Sequence, residues 1–300
     1  MITPGRSEIQ ELKKGLVLSQ KKTAPLLTLL RLSVGPVRLL DWNKEEFFAD
    51  EISQRILLKE IHFSEEAATK KTSEERVNLR RGEQAQNTST PWIWLIDADV
   101  IPDTKVIKSM ITFLDSAWTT DLGLIGGRYA SRSSMSFWEK TYNHLCNIWS
   151  ETRQTPLAGN LILRREIIQD FLWDQIPFGA EEVALKAHAL QKNYSVRVEN
   201  LPLLHLHQKN FLALTGRCLS QAKASASFAD TPATESFPWG RYLSVLSREF
   251  PKHPLLTGGA GLYLCANKVM TFFFRAQESL RSILRKTFPR PAHSNRNPRP

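Results

Sequence analysis

The stretch Pro91-Trp92-Ile93-Trp94-Leu95-Ile96-Asp97-Ala98-Asp99-Val100-Ile101-Pro102-Asp103 decides the fold. Apolar and aromatic residues fill positions 92–96, and acids follow them at once. Such a run predicts a strand that is buried on both faces and delivers carboxylates to a cleft at its carboxyl end. Carboxylates beside an apolar strand need a partner, and a shared divalent cation is a common one. The alternative is that Asp97 or Asp99 only caps a helix that begins near Asp103.

The composition is that of a globular chain. Its 300 residues are 42% hydrophobic, enough for one α/β domain with or without appendages. No apolar run reaches the length of about 20 residues that a spanning helix needs, and the N-terminal sequence predicts no secretory signal. The cysteines, Cys146, Cys218 and Cys265, are few, odd in number and far apart. They predict reduced thiols in a cytosolic protein.

The formal net charge of +10 is concentrated near the C-terminus. From Lys268 onward the chain has eight Lys or Arg and the single acid Glu278. An excess of basic residues can serve nucleic acid, anionic lipid or phosphate-bearing substrates. Nucleic-acid binding would favour basic residues interleaved with exposed aromatics, and the basic tail lacks that pattern. We therefore expect no nucleic-acid partner.

The residues before position 91 predict alternating strands and helices. Alternation of this kind favours a parallel, doubly wound sheet with ligands outside the carboxyl ends of its strands. Asp41 and Asp97 would then face the same crevice. The predicted elements are strands at Leu16–Ser19, Val37–Asn43 and Ile56–Phe63, and helices at Ala24–Leu32, Glu45–Gln54 and Ser73–Gln86.

The residues after position 103 continue this alternation. Glycines at 126–127 and 258–261 are interpreted as a turn and as the lead-in to the last helix. The aromatic side chains of the helix at 137–150 are expected to fill the core, with stacking on a sugar as the alternative. The predicted helices are Asp103–Ser116, Phe137–Ser150, one that Phe178–Leu185 opens and that runs to about Gln191, and Leu262–Lys286, and the predicted strands are Leu122–Ile125, Leu161–Leu163, Asn193–Val198 and Leu203–His207.

Three further patterns are candidates for a site. Gly159-Asn160 precedes a strand and allows close approach of a ligand, or merely a tight turn. Glu181 and Glu182 lie in a first helical turn, where the helix dipole alone favours acids. His205 and His207 alternate along a strand, so both side chains point to one face and could ligate a metal.

Taken in order, these motifs resemble those of family-2 glycosyltransferases of GT-A fold. Leu95–Asp103 is similar to the family's strand that ends in Asp-Xaa-Asp, and Gly159–Glu166 to its Gly-Xaa-Asn strand followed by Arg-Arg-Glu. Gly179–Glu182 is similar to its Gly-Xaa-Glu-Asp step, and His205 or His207 to a strand ending in His. The resemblance covers about residues 13–225.

The resemblance implies a fold and a domain plan. The expected fold is an α/β, doubly wound mixed sheet flanked by helices, with a helical basic C-terminal extension. The expected glycosyltransferase domain is 1–225, with a nucleotide-binding half at 1–103 and an acceptor half at 104–225. A helical extension at 226–288 and a disordered basic tail at 289–300 would follow it.

The resemblance also assigns roles to residues. Asp99 would bind Mn²⁺ or Mg²⁺, with Asp97 and with His205 or His207 as further ligands. Glu182 would be the catalytic base, with Glu181 as the alternative, and the reaction would invert the anomeric centre. The donor-binding residues would be Asp41, Asp97, Arg81, Gly159 and Asn160.

The sequence departs from the family at three of these places. Asp41-Trp42 replaces a pair of polar residues, Arg80-Arg81-Gly82 matches an Arg-Asn-Xaa-Gly step only in part, and Glu182 replaces an Asp. Each departure except the last concerns donor recognition. The metal-binding residues therefore match the family better than the donor-binding residues do.

The function implied is transfer of a sugar from a nucleotide-sugar donor to a glycan or lipid-linked acceptor, in surface polysaccharide or glycoconjugate synthesis. A cytoplasmic enzyme is expected, with its basic C-terminal helix at the anionic inner face of a membrane or simply solvated. The alternatives are an inactive glycosyltransferase-like binding protein and a nucleotidyltransferase. A nucleotidyltransferase would have a Gly- and Lys-rich phosphate loop, and Gln20-Lys21-Lys22-Thr23 lacks glycine.

Overall fold

The computed structural model describes residues 24–34, 39, 41, 44–47, 53–63, 73–117, 120–176, 181–206, 214–216, 219, 222 and 239–287. The strands in this part of the chain are β1 Leu27–Val34, β2 Ile56–Phe63, β3 Trp92–Asp97, β4 Val100–Ile101, β5 Leu122–Ala130, β6 Asn160–Arg164 and β7 Ser195–His205. The α-helices are α1 Lys44–Phe47, α2 Ser73–Gln86, α3 Thr104–Ala117, α4 Phe137–Arg153, α5 Arg165–Ile168, α6 Glu181–Gln191, α7 Trp239–Glu249 and α8 Pro254–Thr287, with 3₁₀ turns at Ser53–Arg55 and Trp173–Gln175.

The described strands form one mixed sheet in the order β2-β1-β3-β6-β5-β7-β4. Strand β1 pairs in parallel with β2 and β3, whereas β6 runs antiparallel to β3 and β5. The predicted α/β fold with a mixed sheet flanked by helices is confirmed. Because β1, β2 and β3 are parallel, Val34, Phe63 and Asp97 end at the same edge of the sheet.

The core lies on both faces of β3. Trp92, Trp94 and Ile96 pack on one face with α3, and Ile93 and Leu95 pack on the other with α6. All five side chains are buried, as the sequence predicts. Side chains alternate along a strand, so Asp97 continues the face of Ile93 and Leu95. The apolar run thereby positions the acid that follows it.

A third cluster joins α4 to the C-terminal helices. Tyr142, Leu145 and Ile148 of α4 pack against Tyr242 of α7 and Leu264 of α8. The aromatic residues of α4 therefore contribute to the core as expected, although Phe137 and Trp138 at its first turn are exposed. None of the helices in the described part of the chain combines the length and apolar character that a membrane span requires.

The helix predicted at residues 24–32 is wrong. Residues 24–32 were expected to form a helix, but Leu27–Val34 is the buried strand β1. Leu27, Leu29, Leu30 and Leu32 are all buried, and a short run that is apolar on every side suits a central strand as well as a helix. Residues 39 and 41, the described part of the strand expected at 37–43, are in no strand.

The interpretation of two groups of glycines was also wrong. Both groups lie inside regular elements rather than at turns. Gly126 and Gly127 are inside β5, where a Cβ on Gly126 would lie 2.6 Å from the Pro156 Cα and one on Gly127 would overlap the Asn160 side chain. The glycines at 258–261 are inside α8, and a Cβ on Gly259 would lie 2.9 Å from Thr141 Cγ2. At Gly126, Gly127 and Gly259 the missing side chain allows close packing, whereas a Cβ on Gly258 or Gly261 would meet nothing within 4 Å.

The two strands expected at 193–198 and 203–207 are one strand, β7. Pro202, which lies between the two predicted strands, pairs with Arg128 where the register between β5 and β7 shifts. An irregularity of this kind accommodates a proline inside a sheet. Strand β2 and helix α2 have the predicted ends, and the other remaining elements are present with altered ends, except that the helix expected at 45–54 is described only as α1 and a 3₁₀ turn.

Several predictions concern positions that the structure does not describe. They are the strand at 16–19, the residues His207 and Gly179, and the disordered tail at 289–300. The domain boundary expected at residue 225 falls there as well. These stay predictions.

Candidate active site

Asp97, the last residue of β3, is paired with Arg81 of α2. Arg81 Nη2 donates to Asp97 Oδ1, and the side chains are 6% and 28% exposed, respectively. Helix α2 covers the face of the sheet that carries Asp97, so a buried cation compensates this acid. Gly82 follows Arg81 and lies against the Trp173 ring, where any side chain would overlap the indole. The sequence Arg81-Gly82 thus places a charge toward the site and lets the helix approach Trp173.

Gly159 and Tyr129 complete the surroundings of Asp97. The Asp97 amide donates to Gly159 O at 3.2 Å, and a Cβ on Gly159 would overlap both the Asp97 carboxylate and the Tyr129 hydroxyl. Burial raises the pKa of Tyr129 well above its usual value, and the negative charge of Asp97 raises it further. Tyr129 is therefore a neutral hydroxyl beside a carboxylate. Gly159 thus packs closely against this carboxylate, and the ligand contact expected at Gly159 stays a prediction.

Asp99 and His205 face each other across the end of the sheet. Asp99 Oδ1 lies 3.5 Å from His205 Nε2, and Leu206 N donates to Asp99 O at 2.9 Å. Strand β4 pairs Val100 with His205, which fixes the backbone of the two residues side by side. Asp99 is partly exposed, with 37% of its side chain accessible, whereas His205 is buried. Two donor atoms of different residues thus converge at an accessible position.

Asn143 of α4 holds the His205 ring. Its Oδ1 lies 2.9 Å from His205 Nδ1, while its Nδ2 donates to His205 O at 3.0 Å and to Ala130 O at 3.1 Å. Because the amide nitrogen serves carbonyl groups, the amide oxygen is the acceptor and Nδ1 carries the proton. Nε2 is then the ring nitrogen that faces Asp99. Tyr129 also stacks on this ring, with centroids 3.9 Å apart.

Arg31 of β1 supports the turn between the two acids from inside the core. It is fully buried, and Nη2 donates to Ala98 O at 3.3 Å and to Val100 O at 3.1 Å. Its Nη1 donates to Glu60 Oε1 at 2.5 Å. Burial lowers the pKa of Arg31, and the charges of Glu60, Asp41 and Asp99 oppose that shift. Arg31 thereby fixes the backbone on either side of Asp99.

The residue that caps helix α3 is neither Asp97 nor Asp99. Asp103 Oδ1 accepts a hydrogen bond from Val106 N at 3.0 Å, so Asp103 caps α3. Asp97 and Asp99 contact Arg81 and His205 instead. The capping alternative for the pair is therefore wrong.

The donor atoms suit a divalent metal ion that shares its coordination with a substrate. Among the residues that the structure describes, no three His, Cys, Asp or Glu form a metal-binding group. Mg²⁺ in phosphate-handling enzymes commonly takes one or two protein carboxylates, with phosphate oxygens and water as its other ligands. Asp99 Oδ1 and His205 Nε2, 3.5 Å apart, could supply one carboxylate and one imidazole ligand. The residues present therefore fit Mn²⁺ or Mg²⁺ when phosphate supplies the remainder.

Polar and aromatic groups also gather at the ends of β1 and β2. Ser33 Oγ lies 2.7 Å from His62 Nδ1, and the Arg80 guanidinium lies 5.0 Å from the centroid of the Phe63 ring. Asp41 is exposed, and its charge acts on Arg31 together with that of Asp99. These groups lie at the sheet edge where a doubly wound fold binds its ligands.

Asn160 has the contacts of a core residue. It is fully buried, accepts from Trp94 Nε1 at 2.9 Å, and donates to Arg128 O at 3.0 Å and Leu201 O at 2.9 Å. These bonds tie β6 to β3, β5 and β7. They give no support to the ligand contact predicted for Asn160.

Glu181 and Glu182 open α6 as predicted. Glu181 is buried and Glu182 is half-buried. Leu185 and Ala189 of the same helix pack in one cluster with Leu95, so α6 covers the face of the sheet that carries Asp97. Of the two acids, Glu182 is the more accessible to a substrate.

Sequence reasoning missed three residues around this site. Arg31 was placed in a helix, and Asn143 and Tyr129 were not singled out. Their roles depend on contacts between distant segments, such as the separation of 62 residues between Asn143 and His205. A buried Arg within an apolar run and a buried Asn within an aromatic helix were the available signals.

The comparisons with known proteins give structural similarity only. No protein-family model matches the chain, and no curated protein matches it. Among solved structures, a mannosyltransferase from Pyrobaculum calidifontis in complex with GDP-Man and Mn²⁺ is 11% identical, with 89% of this chain and 88% of that chain covered and a TM-score of 0.42.

Glucosyl-3-phosphoglycerate synthase from Mycobacterium tuberculosis, in complex with Mn²⁺ and UDP-glucose, is 16% identical. The match covers 71% of this chain and 80% of that chain, with a TM-score of 0.40. Another structure of the same synthase is 13% identical, with 72% and 85% covered and a TM-score of 0.41. These structural neighbours are glycosyltransferases, and we base the function on the contacts of the site itself.

Proposed function

We propose that the chain is a glycosyltransferase that takes a sugar from a nucleotide-sugar donor with the help of a divalent cation. The observation that carries this proposal is the convergence of Asp99 Oδ1 and His205 Nε2, 3.5 Å apart at the end of a buried strand. The sequence resemblance to family-2 glycosyltransferases supports it, since Asp99 is the second acid of their Asp-Xaa-Asp motif.

Asp99 and His205 would hold the cation. In this reaction the bond from the anomeric carbon to the diphosphate breaks, and negative charge develops on the leaving diphosphate. A bound Mn²⁺ or Mg²⁺ supplies Lewis-acid stabilisation of that charge. Asp97, paired with Arg81, would contact the donor ribose, and Asp41 and Arg81 would complete donor binding.

Glu182 is our choice for the catalytic base. The base must accept the proton of the acceptor hydroxyl at hydrogen-bond distance, and Glu182 is more accessible than the buried Glu181. A single base and in-line attack would invert the anomeric centre. Anomeric configuration in the product, read by proton NMR, tests this step separately from the transfer itself.

The acceptor we propose is a glycan or a lipid-linked sugar, used in surface polysaccharide or glycoconjugate synthesis at the cytoplasmic side of a membrane. The basic residues of the C-terminal helix support this location, because an anionic leaflet attracts them. The predicted division into nucleotide-binding and acceptor halves belongs to the same proposal.

The experiment is a panel of nucleotide sugars incubated with the full chain and Mn²⁺ or Mg²⁺, with release of nucleoside diphosphate as the readout. We expect metal-dependent turnover of one donor. Asp99→Ala should lower the rate at least roughly hundredfold, and Glu182→Gln by roughly 10²- to 10⁴-fold.

Asp121→Asn is the matched control. Asp121 is an exposed acid just before β5, at the edge of the sheet opposite Asp97, so its removal should leave the rate unchanged. Release of pyrophosphate rather than nucleoside diphosphate would identify a nucleotidyltransferase. Donor binding with metal but without turnover would identify an inactive binding protein. Either outcome overturns the proposed transfer.

A further inference from the structure

Helix α8 presents an apolar stripe to solvent. Its members are Leu255, Leu262, Val269, Phe273 and Leu280, whose exposures lie between 57% and 76%. Their spacing of seven, seven, four and seven residues puts them on one line along the helix. At about 1.5 Å per residue the stripe is roughly 38 Å long. Isolated exposed leucines are common, but a continuous line of this length indicates a binding surface.

The stripe lies opposite the face that packs on the protein. Ala260, Leu264 and Thr271 are the buried residues of the middle of α8, and at 100° per residue they point about 180° away from Leu262 and Val269. Ala260 and Leu264 belong to the cluster with α4 and α7. The helix is thus anchored by one face, and the apolar stripe faces outward.

The charged residues of helix α8 are almost all basic. Along residues 254–287 the chain has Lys268, Arg275, Arg281, Arg285 and Lys286 but only one acid, Glu278. Burial, and then the charges of Arg153 of α4 and of Arg275, lower the pKa of Lys268 to about 8. A binding partner of helix α8 must therefore accept a positively charged helix, and a negatively charged partner would favour it.

We infer that the outward stripe of α8 docks on an anionic phospholipid surface, with its leucine and phenylalanine side chains among the acyl chains, and that the net positive charge of the helix sequence attracts it to the anionic headgroups. An interfacial helix has this combination of a long apolar face and Lys or Arg. The heptad-like spacing would also suit pairing with a second copy. Two such helices would bring their cations together with one acid each, so charge favours the anionic lipid.

This inference rests on the proposed function in one respect: contact with the membrane would bring the enzyme to its lipid-linked acceptor. Vesicle binding needs neither donor nor metal. A loss of vesicle binding and a loss of transfer activity are therefore separate results.

The test is flotation of the full chain with vesicles of phosphatidylcholine alone or with about one third phosphatidylglycerol. We expect binding to the anionic vesicles that weakens as salt is raised. The double variant Leu262→Gln/Phe273→Gln should reduce partitioning by about tenfold or more, because two side chains that enter the acyl region become polar.

Leu172→Gln/Leu190→Gln is the matched control. Both leucines are at least half exposed but lie outside α8, so this variant should float like the wild type. Circular dichroism and thermal unfolding of each variant establish that it is folded. Absence of wild-type binding, or equal binding by the α8 variant, overturns the inference. A wild-type dimer that the α8 variant converts to a monomer in light scattering would assign the stripe to a second copy and also overturn it.

Discussion

Asn143 and His205 hold each other by two hydrogen bonds, one from the Asn143 amide to the His205 carbonyl at 3.0 Å and one from the His205 ring Nδ1 to Asn143 Oδ1 at 2.9 Å. The first fixes the strand end and the second fixes the ring. Together they present His205 Nε2 toward Asp99. Asn143 is therefore a positioning residue for the proposed metal ion.

The variant Asn143→Leu should weaken Mn²⁺ binding by about 10- to 100-fold, since loss of a bond that orients a metal-binding histidine has effects of this size. Mn²⁺ affinity, measured by electron paramagnetic resonance with nucleoside diphosphate present, checks it. Ser150→Ala is the control, because Ser150 is buried in the same helix and bonds Thr155 O at 2.6 Å. Equal losses of Mn²⁺ affinity in both variants would show that Asn143 acts on the stability of the helix and not on the His205 ring.

Removal of Arg81 should destabilise the fold through Asp97. Arg81→Met leaves Asp97 without its buried cation, and because Asp97 is 28% exposed we expect a loss of about 2 kcal/mol, below the 3–5 kcal/mol of fully buried pairs. Urea unfolding measures it. The double variant Arg81→Met/Asp97→Asn should recover part of the loss, and strict additivity of the two single changes would show that the pair is not coupled.

Gly159→Ala and Gly258→Ala should have opposite effects. A methyl group at Gly159 overlaps the Asp97 carboxylate and the Tyr129 hydroxyl, so we expect a loss of about 1–3 kcal/mol together with loss of activity. At Gly258, inside α8, a Cβ meets nothing within 4 Å, and alanine should stabilise the helix by about 0.5–1 kcal/mol. Thermal and urea unfolding of both variants compare them directly. A tolerated alanine at 159 would contradict the close packing described for Asp97.

His144 should make the protein less stable in acid. Burial, and then the charge of His253, lower the pKa of His144, while Glu249 opposes the shift. Because the folded pKa lies below the unfolded value of about 6.5, the unfolded chain binds more protons as the pH falls. Stability is therefore lost from about pH 6.5 downward until the pH is below the lowered pKa.

His144→Gln should flatten that part of the curve of unfolding free energy against pH. His144 Nε2 lies 3.0 Å from Thr257 Oγ1 of α8, so Thr257→Val is the control that removes this bond and keeps the titrating ring. An unchanged acid slope in His144→Gln would assign the loss to other groups.

The sequence predicted those parts of the site that depend on neighbouring residues. The buried run at 92–96 followed by Asp97 and Asp99 marks both a central strand and its acidic end, and this needs no knowledge of the rest of the chain. The strand that ends in His205 was also predicted from local residues. The alternation of such segments predicted a parallel sheet, whereas β6 runs antiparallel to its neighbours; the mixed sheet was an expectation from the family resemblance.

The remaining features depend on contacts across the sheet. Arg31 donates hydrogen bonds to the backbone on either side of Asp99. It lies in β1, and the spacing of apolar residues there suits a helix as well as a strand. Gly126 and Gly127 looked like a turn, because Pro156 and Asn160, which require their lack of side chains, come later in the chain. Tyr129 and Asn143 contact His205 only once β5, α4 and β7 are assembled.

The pairing of β4 with β7 has a consequence for how the molecule forms. Val100 is bonded beside His205, yet β7 is the last described strand in the sequence. Contacts between such distant segments form late and slow the folding of a chain. During synthesis, Asp99 leaves the ribosome long before His205 does, so the two proposed metal ligands meet only when β7 has joined the sheet. Metal affinity would then report completed folding, and a chain truncated before Ser195 would lack it.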